Sequence, residues 1–258
     1  MRTRLLLAGF LAFLTLPATG GRTVAAADDV TITPVVHASF QVEYAGKVVQ
    51  VDPWSVGNLS GLKPADLILI TDNPDHHLDI KAIGKLRKPG APIIMPATGK
   101  EQIPDGIVLP NGQHTTVAGI LVESIGAYDI NGVPQHPKGE ANGYLLTMGG
   151  KRIYVAGVTE SAPEVQAVKN PDIAFMPMNL PDGRMKPQAA ADCTKIVHPK
   201  VVYLTHYDQG YTAHIRNPTA KPRALEGGVT IPQTVAMFRD ALKGSGIEFR
   251  DGNWYPPY

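Results

Sequence analysis

Glycine and proline punctuate this chain throughout, 26 and 23 of them, and the stretches they leave are mostly short, apolar and rich in β-branched residues. Stretches of that kind read as strands. They are predicted at 30–36, 39–44, 47–51, 67–71, 92–95, 117–125, 143–148, 152–156, 173–176 and 201–205, with Ala45-Gly46 joining the second to the third as a hairpin. Helical patterns fall between the later strands, at 78–86, 163–168, 187–197 and 232–243, the last opened by Thr230 and closed by Gly244. Consecutive strands followed by alternating strand and helix predict an α/β fold in which helices cover the sheets.

The first residues bear on compartment. Arg2 and Arg4 precede the apolar run 5–16, and Ala25-Ala26-Ala27 offers a small-residue cleavage site. This pattern reads as a secretory signal peptide over 1–27, which predicts a periplasmic or secreted protein. The apolar run is short of the roughly 20 residues of a comfortable span, and no later segment replaces it, so no membrane span is expected after cleavage. Removing 27 of 258 residues leaves 231, and residues 28–258 are expected to form a single domain. A formal net charge of +1 with no basic cluster lacks the electrostatic footprint of a nucleic-acid binder; a small-molecule substrate is the expected partner. The single cysteine, Cys193, permits no intrachain disulfide and is expected to be a buried structural thiol.

Chemistry concentrates in Ile70-Thr71-Asp72-Asn73-Pro74-Asp75-His76-His77-Leu78-Asp79, where histidines and carboxylates crowd the end of an apolar strand. Imidazole and carboxylate are the side chains that hold zinc and related divalent ions, and a catalytic site needs about three of them plus an open position. Asp72 or Asp75 could accept a proton from water, although either of them, or Asp79, could instead cap the helix that follows. Three other strands also end in polar groups, at Tyr128-Asp129, Gly157-Val158-Thr159 and His206-Tyr207. Ligands gather at such strand ends in α/β sheets. No Gly-x-Ser-x-Gly elbow and no phosphate-cradling glycine loop competes.

Several landmarks, taken in order, carry a family likeness: His37-Ala38-Ser39-Phe40, Val51-Asp52-Pro53, Ala65-Asp66-Leu67-Ile68-Leu69-Ile70-Thr71, Asn142-Gly143-Tyr144, Lys151-Arg152-Ile153-Tyr154-Val155-Ala156-Gly157, and Pro199-Lys200-Val201-Val202 leading to His206-Tyr207. Over about residues 32–207 the chain resembles the metallo-β-lactamase fold superfamily, especially its metal-dependent hydrolases related to the L-ascorbate-6-phosphate lactonases. The resemblance implies an αββα sandwich, two mixed sheets with helices on the outer faces, and water-driven hydrolysis at a metal on the sheet edge.

The family's His-x-His-x-Asp-His positions read here Asp72, Pro74, His76 and His77, so only the last matches. Its Gly-Asp-Thr, whose aspartate bridges two metals, is Gly157-Val158-Thr159, and valine binds no metal. The family's intermediate histidine falls near Asp129, with His136 seven residues on, and its final histidine is His206. Sorted by metal, the first family site keeps Asp72 with Asp129 or His136, and the second keeps His76, His77 and His206. The resemblance therefore implies one ion, zinc before manganese or iron, on His76, His77 and His206 with Asp72 or His136 as helper. The implied activity is hydrolysis of a small ester, lactone, amide or phosphoester, with Asp72 or Asp75 as proton acceptor. A non-catalytic protein binding a small molecule or metal in the same cleft is the second reading, motivated by Pro74 and Val158. His37 either approaches this site or makes a structural hydrogen bond; Tyr128 and Tyr207 either serve an oxyanion or pack. His114 and His198 read as surface residues, and His214 lies on a polar segment, 211–223, that could form a lip.

Overall fold

A computed structural model describes residues 30–132, 134–208, 212, 217, 219, 226–252 and 254. The signal-like segment 1–27, His214 and most of 211–223 lie outside them. The described chain is an αββα sandwich, as the resemblance implies. The first sheet runs β1 (Thr31–Val36), β2 (Ser39–Tyr44), β3 (Lys47–Val51), β4 (Leu67–Leu69), β5 (Ile93–Met95) and β6 (Ile107–Val108), side by side in that order. The second is ordered β13-β12-β11-β10-β9-β8-β7, from β7 (His114–Val117), β8 (Ile120–Ala127), β9 (Ala141–Met148), β10 (Lys151–Val155), β11 (Ile173–Pro177), β12 (Val201–Thr205) and β13 (Glu248–Phe249). Both are mixed: β3 to β6 and β10 to β13 run parallel, and their remaining neighbours antiparallel. No helix among the described residues is long and apolar enough to cross a membrane.

Strand β4 and its exit show why the apolar run is continuous rather than alternating. Leu67 and Leu69 face the core between the sheets, while Ile68 and Ile70 face the opposite way, into a cluster with Leu78, Ile83 and Met95 beneath helix α1 (Ile80–Leu86). A parallel strand covered on both faces needs apolar residues at every position. Phe40 stacks on Phe175 across the sandwich, ring centroids 3.9 Å apart. On the other outer face lie α2 (Pro163–Ala167), α3 (Pro187–Val197) and α4 (Ile231–Ala241). Ala190, Ala191, Cys193 and Val197 of α3 join the main core, so the thiol is buried as expected.

The structure moves several boundaries. Helix α1 starts at Ile80 because Asp79 caps it, accepting from the Lys81 and Ala82 amides at 2.8 and 3.2 Å, while the Leu78 amide belongs to the preceding turn through Pro74 O. Thr230 and Gln233 form a reciprocal capping box at α4. Val117 ends a separate strand, β7, which the polar His114-Thr115-Thr116 disguises, and the two-residue strands β6 and β13 leave no apolar run to detect.

The two sheets are tied where their strands end. The Asn142 amide donates to Thr71 O at 2.8 Å, and the Tyr144 hydroxyl donates to Ile70 O at 2.7 Å. Gly157, at φ 69°, leaves the adjacent strand so close to Asn142 that a Cβ there would lie 2.6 Å from its carbonyl oxygen. This junction carries the site.

Candidate metal centre

Four imidazoles converge at this edge. His37 occupies the two-residue turn between β1 and β2, His76 and His77 the turn after β4, and His206 the residue after β12. One ring nitrogen from each lies within 4.8 Å of the others. Centroids of His37 and His206 are 3.9 Å apart and those of His76 and His77 4.5 Å. The backbone is bent to achieve this: His37, Asp52 and His206 stand at φ of 59°, 42° and 59°, left-handed conformations that non-glycine residues adopt seldom. The His206 amide donates to His37 O at 3.2 Å, which fixes the two bends against each other.

Buried carboxylates orient two of the rings from behind. Nδ1 of His37 donates to Asp208 Oδ1 at 2.6 Å, and Nδ1 of His77 donates to Asp52 Oδ2 at 2.7 Å. Asp52 is itself held by the Thr71 amide and hydroxyl at 2.7 and 2.5 Å. A carboxylate on Nδ1 fixes the proton there and leaves the Nε2 lone pair facing the cluster. Nε2 of His77 is buried and has no hydrogen-bond partner, a costly state for a polar atom that a cation would relieve. His206 is pushed well below the usual imidazole range by burial and then by the neighbouring histidines, and so stands neutral, the form that binds metal. Four imidazole nitrogen donors suit zinc and other borderline transition metals better than magnesium or calcium. The residues present thus fit a resident divalent ion.

Asp72, Asp129 and His136 lie outside this ligand group and form a second array. His136 Nε2 is 3.3 Å from Asp72 Oδ2, and its Nδ1 is 3.4 Å from Asp129 Oδ2. Asp129 Oδ2 accepts the Gln135 and His136 amides at 2.8 Å each, and its Oδ1 pairs with the Arg184 guanidinium. Arg184, also buried, donates through Nε to Pro181 O at 2.9 Å. Burial raises the Asp72 carboxyl, but His136, His77 and the Asn73 amide outweigh it and hold it below its ordinary value. Asp75 is exposed, with Oδ1 3.5 Å from His76 Nδ1. Val158 is fully buried in the core.

The remaining candidates divide plainly. The Tyr128 hydroxyl is given to Glu164 at 2.6 Å, with Lys138 over its ring, and Tyr207 is buried in the core. His114 and His198 are exposed. The structure adds His37 to the converging rings and supplies Asp52, Asp208 and Arg184, which carried no role in the sequence reading. Asp52 and Asp208 do follow strand ends, the one available signal; Arg184 has none.

A family model described as a beta-lactamase superfamily domain matches residues 31–206. A UPF0173 metal-dependent hydrolase from Pyrobaculum arsenaticum is 25% identical over 187 residues, covering 67% of this chain and 81% of that protein. Among solved structures, a Parabacteroides distasonis protein assigned to the metal-dependent hydrolases is 34% identical, with a TM-score of 0.70 over 86% of this chain and 92% of its own. A metallo hydrolase from the hyperthermophilic archaeon Ignicoccus hospitalis shares the fold, at 21% identity and a TM-score of 0.64 over 86% and 94%.

Proposed function

Because this chain belongs to the beta-lactamase superfamily, we propose that it is a metal-dependent hydrolase of a small ester, lactone, amide or phosphoester, holding one divalent ion, zinc before manganese or iron. The convergence of His37, His76, His77 and His206, with Asp208 and Asp52 behind two of them, carries this reading. Relatives and structural neighbours named as metal-dependent hydrolases support it. When bound, such an ion supplies Lewis acidity, lowering the pKa of water toward 7 and polarising a carbonyl or phosphoryl oxygen.

The chain's own residues supply the rest. Asp52 and Asp208 hold the His77 and His37 rings in one tautomer and orientation. Asp72, buried and ionised, accepts the proton of the attacking water in preference to Asp75, which stands out in solvent. A single ion is supported by the buried Val158 and by Arg184, which already balances Asp129. Export to the periplasm or beyond, from the signal-like 1–27, is part of the proposal.

Metal analysis of the purified protein is expected to give one ion per chain. Screening lactones, aryl esters, β-lactams and phosphodiesters with zinc, manganese and iron is expected to find a turnover that His77→Ala and His206→Ala abolish. A protein that binds no ion even with zinc added would overturn the metal centre. Bound metal without turnover on any of these would favour the second reading, a non-catalytic binder.

A further inference from the structure

We infer that the cavity beside Arg184 binds a small organic oxyanion, a carboxylate or phosphate on an apolar body, and that it receives this part of the substrate. The site stands on its own residues; only its service to a substrate rests on the hydrolase reading proposed above. The cavity measures about 530 Å³, the size of a small-molecule site. Its walls come from Asn131 and Gly132 after β8, Glu160 after β10, and residues 183–186 with Ala189 after β11. Strand β11 neighbours and parallels β12, whose end carries His206, so the cavity opens on the edge that holds the metal centre.

Donors remain at this cavity, whereas its buried carboxylate is spent. A guanidinium has five N–H groups. Those of Arg184, which is 9% exposed, meet Pro181 O through Nε at 2.9 Å, Gln135 Oε1 through Nη2 at 3.3 Å, and Asp129 Oδ1 through Nη1. Two N–H groups are left, and buried donors seldom stay without an acceptor. Glu160 has Oε2 on the Ile130 and Asn131 amides at 2.7 Å each and Oε1 on the Asn131 side chain at 3.0 Å. Helix α3 opens at the same wall. The Gln188 and Ala189 amides precede its bond from Ala190 to Lys186 O at 2.9 Å, and the Lys186 side chain does not cap them.

The loop that carries Arg184 is bent. Asn179 and Met185 stand at φ of 53° and 45°, and the Asn179 amide donates to Met185 O at 2.8 Å, which closes the loop. Left-handed residues other than glycine gather at ligand sites. Because Asp129 already balances Arg184, hydrogen bonds rather than net charge would hold the oxyanion, and buried Met185 offers its body an apolar wall. The same guanidinium ties the cavity to the proposed base: Asp129 is 3.4 Å from His136, and His136 is 3.3 Å from Asp72.

Benzoate and phenylphosphonate, with benzamide as the neutral counterpart, test this by titration into the purified protein while backbone amides are followed by NMR. Either anion is expected to give saturable shifts at Gly132, Gly183 and Ala189, and benzamide to bind at least about tenfold more weakly. Ala189→Asp adds a carboxylate to the exposed first turn of α3, where a helix favours one, and is expected to weaken the anion at least about tenfold. Ala189→Asn, equal in size, is expected to cost less than about threefold. Arg184→Lys, which keeps the charge and loses the fork, is expected to cost about tenfold; the Ala189 pair decides the matter if that variant fails to fold. No saturable shift with either anion, benzamide binding as tightly as benzoate, equal effects of the two Ala189 variants, or shifts confined to the histidine cluster would overturn the site and leave the metal centre standing. Anion binding at the cavity of a protein that takes up no zinc would uphold the site and strike the metal centre alone.

Discussion

The four histidines and the Asp72, His136, Asp129, Arg184 array belong to one edge of the sandwich, yet they obtain their positive charge differently. The histidine cluster places imidazole nitrogens in front of two buried carboxylates, Asp52 and Asp208, with no lysine or arginine paired to them among the described residues. The second array has the guanidinium of Arg184 paired directly to Asp129 and the His136 ring between its two carboxylates. One region is built to receive a cation, and the other has one attached to the chain. This contrast is the physical support for the single ion proposed above.

The largest effect should come from removing the attached cation. Arg184→Met leaves Asp129 a buried anion without its partner, a change that costs about 3–5 kcal/mol, read from urea unfolding. Adding Asp129→Asn should restore much of that loss, and zinc content at the histidines should stay the same in both. A double variant no more stable than the single one would break the charge comparison.

A smaller effect separates the two regions by metal affinity. Asp52→Asn and Asp208→Asn each disturb a ring from behind and should weaken zinc binding about 10–100-fold, or about 1.4–2.7 kcal/mol, in competition with a chelator. His136→Gln, outside the ligand group, should change it by less than a factor of about three. Equal losses would merge the two regions into one site.

The smallest effect is in acid. The Asp72 carboxyl is held below its ordinary value of 3.8 because His136, His77 and the Asn73 amide outweigh its burial. A depressed folded-state pKa means that the unfolded chain takes up its proton first as pH falls. The resulting stability is full well above 3.8 and is lost as pH drops through the lower folded value. The stability gap between metal-free wild type and Asp72→Asn should therefore narrow below about pH 4, measured as urea midpoints. A gap that widens in acid would show that Asp72 is not stabilised as an anion.

Much of the fold was legible because it is local. The run Leu67-Ile68-Leu69-Ile70 announces a strand covered on both faces, and Thr230 three residues before Gln233 announces a capped helix; both hold in the structure. Strand β7 was missed because His114-Thr115-Thr116 is a polar edge whose order comes from pairing with β8. At the site, His76-His77 stood out because both lie on one strand end. His37 stayed ambiguous because its orientation depends on Asp208, 171 positions away. Arg184 gave no sign, since nothing near it in sequence reveals Asp129 as its partner.

The sequence by itself therefore determined most of the strands and the helices, apart from β6, β7 and β13, the family resemblance, and which strand ends carry acid and base groups. The elements and the strand ends follow from periodicity, caps and neighbouring residue types, which act within a turn or a strand; the resemblance rests on the landmark residues in their order. Only the tertiary structure decided that His37 joins His76, His77 and His206, that Asp52 and Asp208 stand behind two of them, and that Arg184 balances Asp129. Those contacts join residues on different strands and loops. Their distances are fixed by sheet pairing and by the bends at His37, Asp52 and His206, which no local pattern specifies.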